Sequence, residues 1–349
     1  MTQPRRAVAL ISGGLDSMLA AKVVMNQGIH VEGINFYTGF CVEGHTHAIR
    51  QKDQDREKRN NALWVAETLG IKLHIIDVIE EYKDVLLNPK HGYGQHMNPC
   101  LDCKIFMVNK ALAWAWMEEN QFDFIITGEV IGQRPKSQRK ETMPLIATES
   151  GAEDRLLRPL CAQHLPETLP EREGWVARDK LFAFNGRNRK PQIELAEELG
   201  FESWSQPSGG CCFLADKYYS DKLGDMWRSR GKRAYELDDI MLLKVGRHIR
   251  PKPNFKLIIS REAGENHYLE GYRNQFISLD PISHNGALTL IDGDVDAEDL
   301  ELAAKIVARY SQGRQEPLVE VQIRQPTGEL SSLQVKPFTP FDIDKRWHV

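Results

Sequence analysis

Two short stretches carry residue types that do chemistry, at spacings that chemistry uses. In "ALISGGLDSML" (9–19) an apolar run meets Ser12, Gly13, Gly14, Asp16 and Ser17. Paired glycines let backbone N–H groups approach an anion, and a helix beginning there adds its positive end. The two serines add hydroxyl donors. The lysine of the usual phosphate loop is missing, and Asp16 alone would repel a phosphate. With Mg2+ present the carboxylate becomes a natural ligand. The stretch therefore suits a pyrophosphate held with a metal. The alternative is a turn that merely packs, and the complete Ser-Gly-Gly-Leu-Asp-Ser pattern counts against it.

The second stretch is "NPCLDCK", with Cys100 and Cys103 at the start of a helix, where thiolate is favoured. "SGGCCF" adds Cys211 and Cys212, leaving only Cys41 and Cys161 among the six cysteines. Six in 349 residues do not make a disulfide framework. Clustered thiolates suit zinc or an iron–sulfur cluster, with three ligands and an open position. A structural four-cysteine zinc site, or thiols that form a catalytic disulfide, are the competing readings. Cys41 and Cys161 read as packing or loop thiols. His45, His47, His91 and His96 fit no helix face and read as loop histidines.

These residues must be held by a scaffold. "RAVALIS", "HVEGINFY", "IKLHIIDV" and "DFIITG" read as strands, separated by helices at 15–28, 51–70 and 104–120. Such alternation predicts an α/β fold with a doubly wound parallel sheet, whose ligands sit at the carboxyl ends of strands. "SGGLDS" and "TGEVIGQ" both follow strands, which predicts that they are neighbours. Residues 129–190 read as loop insertions within a domain spanning 1–215, and "PQIELAEELG" as a short helix. Residues 216–240 read as a linker. From 241 to 349, short strands and the helix "VDAEDLELAAKIVARY" predict a smaller α+β domain.

"SGGLDS" resembles the PP-loop of the ATP pyrophosphatases, also called adenine nucleotide alpha hydrolases. Members cleave ATP between the alpha and beta phosphates and adenylate a substrate oxygen. "NPC", "CCF" and "LLRPL" (156–160) are similar to stretches of the tRNA thiolases. "TGEVIGQRPKSQ" (127–138) is similar to a stretch of the 4-thiouridine synthetases. The resemblance covers about residues 6–215. It implies ATP and Mg2+ bound by Ser12, Gly13, Gly14, Asp16, Ser17, Thr127, Gly128, Gln133, Ser137 and Gln138. It implies Asp16, Cys100 and Cys212 in catalysis, and a [4Fe-4S] cluster on Cys100, Cys103 and Cys212 that delivers sulfide. A cysteine persulfide without a cluster, or a PP-loop amidotransferase, remains open. So does a non-enzymatic RNA-binding protein with structural zinc. A THUMP domain before the PP-loop and a rhodanese cysteine after Cys212 are not expected, so sulfur is expected to arrive by another route, from free sulfide or a desulfurase-type protein, which favours the cluster.

Two basic tracts flank these motifs. "GQRPKSQRK" holds Arg134, Lys136, Arg139 and Lys140, and "NGRNRK" holds Arg187, Arg189 and Lys190. They are expected to face tRNA phosphates, unless they are merely solvated loops. Residues 241–262 carry six basic side chains, Arg247 and Arg250 among them, against the single acid Glu262. "GRHIRPKPNFKLIISREAGENHYL" is similar to NFACT-R RNA-binding modules. The net charge of −4 supplies no general pull toward nucleic acid, so tRNA contacts must be local. No run reaches the roughly 18 apolar residues of a membrane span, and no signal segment opens the chain. A cytoplasmic, membrane-free enzyme, with a homodimer left open, is the expectation.

Overall fold

The computed structural model describes residues 4–42, 60–205 and 212–349. Cys211, His45, His47 and most of the helix expected over 51–70 lie outside them. The chain forms two compact units, divided between Ala215 and Asp216.

The first unit is built on a five-stranded sheet in the order β3-β2-β1-β4-β5. Its strands are β1 (Arg6–Leu10), β2 (His30–Tyr37), β3 (Leu73–Asp77), β4 (Phe124–Ile126) and β5 (Leu156–Leu157). All neighbours pair in parallel. The period-two pattern of β1 divides its side chains between two cores. Ala7 and Ala9 pack with the helices Leu15–Met25, Asn61–Leu69 and Lys190–Glu198. Val8 packs on the opposite face with Cys100–Ala115 and Thr142–Glu149. Helices on both faces make this the doubly wound sheet that the sequence predicts. The strand order reverses between β1 and β4, so their carboxyl ends flank the crevice where such sheets bind ligands.

The second unit holds a six-stranded antiparallel sheet in the order β11-β10-β8-β9-β7-β6. Its strands are β6 (Arg247–Lys252), β7 (Phe255–Ile259), β8 (Ile277–Pro281), β9 (Thr289–Gly293), β10 (Val319–Arg324) and β11 (Leu330–Val335). The helix Ala297–Arg309 covers one face through Ala303, Ile306 and Val307. Leu242 and Leu269, from the helices Leu237–Leu242 and Ala263–Glu270, pack on the other. The segment expected as a linker is not one. Residues 217–230 form a helix, with Asp216 accepting the Tyr219 N–H as its cap, and bury Leu223, Met226 and Trp227 in this unit.

Candidate active site

The PP-loop turn leaves β1 and enters the helix Leu15–Met25, with Gly14 at the N-cap. Gly13 has φ +78°, and a Cβ there would lie 2.7 Å from Asn61 Cβ. Glycine is thus required both by conformation and by the close approach of the helix Asn61–Leu69. The Asn35 side chain donates to the Ile11 carbonyl at 2.6 Å, and the Ser17 hydroxyl donates to the Gly14 carbonyl at 2.8 Å. Ser12 and Ser17 hydroxyls lie 3.4 Å apart. These bonds fix a cup of backbone and hydroxyl donors at the helix N-terminus.

The stretch after β4 closes on that cup, as its position in the sequence predicts. A Cβ on Gly128 would come within 2.5 Å of the Asp16 carbonyl oxygen and the Ser17 amide nitrogen. Gln133 Nε2 donates to Asp16 Oδ2 at 2.8 Å. Arg189 Nη2 stands 3.7 Å from Asp16 Oδ1. Burial raises the Asp16 carboxyl above its ordinary range, against the opposing pull of Arg189, Gln133 and Arg134. Asp16 Oδ1 is buried and accepts no hydrogen bond. A buried carboxylate oxygen without a donor fits a hard cation such as Mg2+. Arg189, expected at an RNA surface, instead faces this carboxylate.

Behind the cup lies a buried ion pair that sequence reading missed. Arg158 Nε donates to Glu129 Oε2 at 3.1 Å, and Thr127 Oγ1 donates to the same oxygen at 3.0 Å. Arg158 also donates to the Met143 carbonyl, and Lys104 Nζ lies 3.9 Å from Glu129 Oε1. Full burial opposes the charge of Glu129, but Lys104 and Arg158 hold its carboxyl below the ordinary range. Thr127 therefore supports the loop through Glu129. The only signal for this pair was the Arg of "LLRPL". Cys161 donates to the Glu129 carbonyl oxygen, and burial pushes its thiol up to about 12. That keeps it a protonated packing thiol, as expected.

One loop joins the Asp16 region to the cysteine helix. The Gly132 N–H donates to the Gln138 carbonyl at 2.6 Å, which closes residues 132–138 on themselves. At one end Gln133 holds Asp16. At the other, Cys100 Sγ donates to the buried Ser137 hydroxyl at 3.2 Å. Four residues of chain span at most about 14 Å, so the two chemistries share one crevice. Lys136 Nζ donates to the carbonyls of His91, Gly92 and Tyr93, and the His91 N–H donates to Asp102 on the cysteine helix. Lys136, expected to face tRNA phosphates, thus spends its ammonium on backbone carbonyls and fastens this loop. His91 is a loop histidine bonded to Glu149.

Cys212 lies opposite Cys41 in an antiparallel bridge, and Cys100 and Cys103 occupy the first turn of Cys100–Ala115. Among the described residues no three His, Cys, Asp or Glu side chains are grouped to hold a metal ion. The ligand set expected of Cys100, Cys103 and Cys212 is therefore not assembled here.

Of the remaining basic residues, Arg134, Arg139, Lys140, Arg187 and Lys190 are exposed. Arg139 donates to the Pro135 carbonyl, and Lys190 pairs with Glu194 at 3.5 Å. In the second unit Arg247 is exposed, with its guanidinium 5.3 Å from the Tyr310 ring centre. It lines an open groove of about 620 Å³ with Arg261, Arg309 and Arg314. Arg250 is instead held inward by a two-point pair with Asp225, at 2.7 and 2.8 Å.

Comparison with known proteins agrees with this division. Residues 5–154 match the tRNA methyl transferase HUP domain, and residues 246–348 match the NFACT protein RNA binding domain. Over 226 residues the chain is 26% identical to the tRNA-specific 2-thiouridylase MnmA of Idiomarina loihiensis, covering 63% of this chain and 55% of that protein. The same enzyme of Mesoplasma florum is 26% identical over 243 residues, covering 64% and 61%. The chain thus spans little more than half the length of these relatives. A 4-thiouridine synthetase in complex with RNA and ATP shares 24% identity, covering 61% of this chain and 46% of that one, at a TM-score of 0.39. The C-terminal part of the fibronectin/fibrinogen-binding protein from Streptococcus suis shares 14%, covering 46% and 77%, at 0.26. The likeness to PP-loop tRNA thiolases, and separately to an NFACT RNA-binding domain over residues 246–348, expected from the motifs, is borne out.

Proposed function

We propose that this protein is an ATP-dependent tRNA uridine sulfurtransferase. The observation that carries the reading is the loop 132–138, which touches the PP-loop carboxylate through Gln133 and Cys100 through Ser137. A site that activates an oxygen and then replaces it with sulfur needs those two chemistries adjacent. The likeness to tRNA-specific 2-thiouridylases and the NFACT-type RNA binding domain support the substrate class.

In this reading Ser12, Gly13, Gly14 and Ser17 cradle the departing pyrophosphate of ATP. Thr127 and Gly128 shape the wall of the cup, and Gln133, Ser137 and Gln138 belong to the loop that closes it. Asp16 would hold Mg2+, which neutralises phosphate charge when bound. Arg189 and Arg134 add fixed positive charge beside it, and such preorganised charge is worth most where water is excluded. A uridine carbonyl oxygen attacks the alpha phosphorus and pyrophosphate leaves. A second cysteine thiol attacks a cysteine persulfide, forming a disulfide and expelling the outer sulfur as hydrosulfide, which attacks the adenylated carbon so that AMP leaves with the oxygen.

Cys100, Cys103 and Cys212 are the thiols proposed to handle sulfur. A persulfide on one of these thiols, supplied by a desulfurase-type protein or a low-molecular-weight persulfide, fits described residues that group no three ligands for a cluster. Arg134, Arg139, Lys140, Arg187 and Lys190 are proposed to meet the tRNA backbone. The test is mass spectrometry of nucleosides from tRNA incubated with the anaerobically purified protein, ATP and a persulfide donor. Thiouridine formed by iron-free protein, and lost in Asp16→Asn, is the expected result. Thiouridine formed only by iron-loaded protein returns the cluster to Cys100, Cys103 and Cys212. No thiouridine under either condition overturns the reading.

A further inference from the structure

The groove beside Arg247 in the second unit has a neighbour. A second hollow, of about 640 Å³, shares Arg309 and Arg314 with it, so these two guanidiniums stand between the hollows. Each volume falls within the roughly 300–1,000 Å³ that small organic ligands fill. Each hollow also holds one half-buried aromatic ring, Tyr310 in the first and Phe338 in the second. Arg247 and Lys336 add positive charge at either end, against Glu262 and Glu316 on the walls. Arg261 is spent on Glu265, whereas Arg309 and Arg314 make no ion pair among the described residues.

The spacing of rings and cations is built into the fold. Arg309 ends the helix Ala297–Arg309, and Tyr310 is its C-cap. The Phe338 N–H donates to the carbonyl of Lys305 on the same helix at 3.2 Å. The turn that carries Arg314 is closed by the Glu316 N–H on the Gly313 carbonyl at 2.9 Å. It is anchored by the Gln312 N–H on the Asn285 carbonyl at 2.8 Å, and a Cβ on Gly313 would come within 2.6 Å of the His284 ring. Two cations between two rings fit a chain that carries a phosphate between two flat bases. A ring takes the face of a base only when that base is free of a duplex stack. A duplex would offer these hollows phosphates alone.

We infer that the two hollows bind an unpaired stretch of RNA, with Arg309 and Arg314 on the phosphates between bases that stack on Tyr310 and Phe338. The inference rests on the reading that this protein acts on tRNA, and it adds which form of RNA the second unit grips.

The test uses the full-length protein and a labelled RNA of about eight nucleotides, free or annealed to its complement, in fluorescence anisotropy across a salt series. The unpaired form is expected to bind about tenfold more tightly than the duplex, and to compete with tRNA. Tyr310→Leu is expected to weaken unpaired RNA about tenfold at an unchanged salt slope. Arg314→Gln is expected to lower that slope by about 0.7. Should Tyr310→Leu fail to fold, ultraviolet crosslinking of the unaltered chain to a bromouracil-containing strand must map to Tyr310 or Phe338. Duplex bound as tightly as unpaired RNA overturns the inference. So does an unchanged affinity in Tyr310→Leu, or equal displacement of the RNA by polyglutamate. Binding of tRNA that the unpaired strand cannot compete with sinks only this inference. Unpaired RNA held here by a protein that makes no thiouridine sinks only the sulfurtransferase reading.

Discussion

At the scale of single residues, Asp16 sets activation against stability. Burial lifts its carboxyl, so the folded state favours the neutral form. That contribution is fully present below the unfolded pKa and is lost as pH rises through the folded one. Asp16→Asn keeps the position neutral at every pH. We expect a higher thermal midpoint than the unaltered protein at pH 7 to 8, together with loss of ATP-dependent pyrophosphate release. A lower midpoint would mean that the charged carboxylate stabilises the fold. Gly128 offers a second test. A methyl group there meets the backbone of Asp16 and Ser17, and forced overpacking costs about 1–3 kcal/mol. Gly128→Ala should lower the urea midpoint and weaken ATP binding, measured by calorimetry. Unchanged ATP affinity would mean that the cup tolerates the displacement.

At the scale of elements, the strand after which "TGE" begins depends on the buried Glu129–Arg158 pair. Removing one partner of a buried pair leaves an uncompensated charge, a loss of about 3–5 kcal/mol. Glu129→Gln should therefore unfold in markedly less urea, while a Glu129→Leu, Arg158→Met double variant recovers much of the loss. Because Lys104 and Arg158 hold this carboxyl low, its contribution is present above the unfolded pKa and lost as pH falls through the folded one. Periodicity disclosed β1 to β4 and the PP-loop helix, since apolar runs and the Gly-rich turn are local signals. It could not disclose β5, whose two residues fall inside an Arg- and Pro-rich stretch and are recruited by pairing with Ile125 and Ile126. Nor could it separate cations that face solvent from those that face carboxylates. Arg189, Lys136 and Arg250 read like their exposed neighbours, and only tertiary contacts turn them inward. The segment 216–240 was misread for a related reason. Its helix 217–230 is rich in charged residues, and its apolar face is identified by what it packs against.

At the scale of the whole molecule, the second unit supplies a basic groove independent of the crevice residues. Arg247 lines it, whereas Arg250, three residues on, is spent on Asp225. The two substitutions should therefore fail differently. Arg247→Gln is expected to weaken tRNA binding and reduce its salt slope by about 1 while leaving the thermal midpoint near that of the unaltered protein. Arg250→Gln is expected to lower the midpoint first. Filter binding across a salt series, paired with thermal melts, checks both. Equal effects on the slope would place both guanidiniums on RNA.

The order β3-β2-β1-β4-β5 also governs how the first unit is made. Its centre is made before the other four strands of the sheet, yet one side of that strand stays bare until β4 arrives. The Arg6 N–H is met by the Asp123 carboxylate 117 residues later. At about 5–20 residues per second, that gap lasts roughly 6 to 23 s, during which an apolar strand edge is available to any other chain. Nascent chains halted shortly before residue 124 should therefore be aggregation-prone and protease-sensitive. Chains extended past β5, with the tunnel's length allowed for, should be protected. The strand that places the PP-loop at the crevice is thus also the one that waits longest for its neighbour.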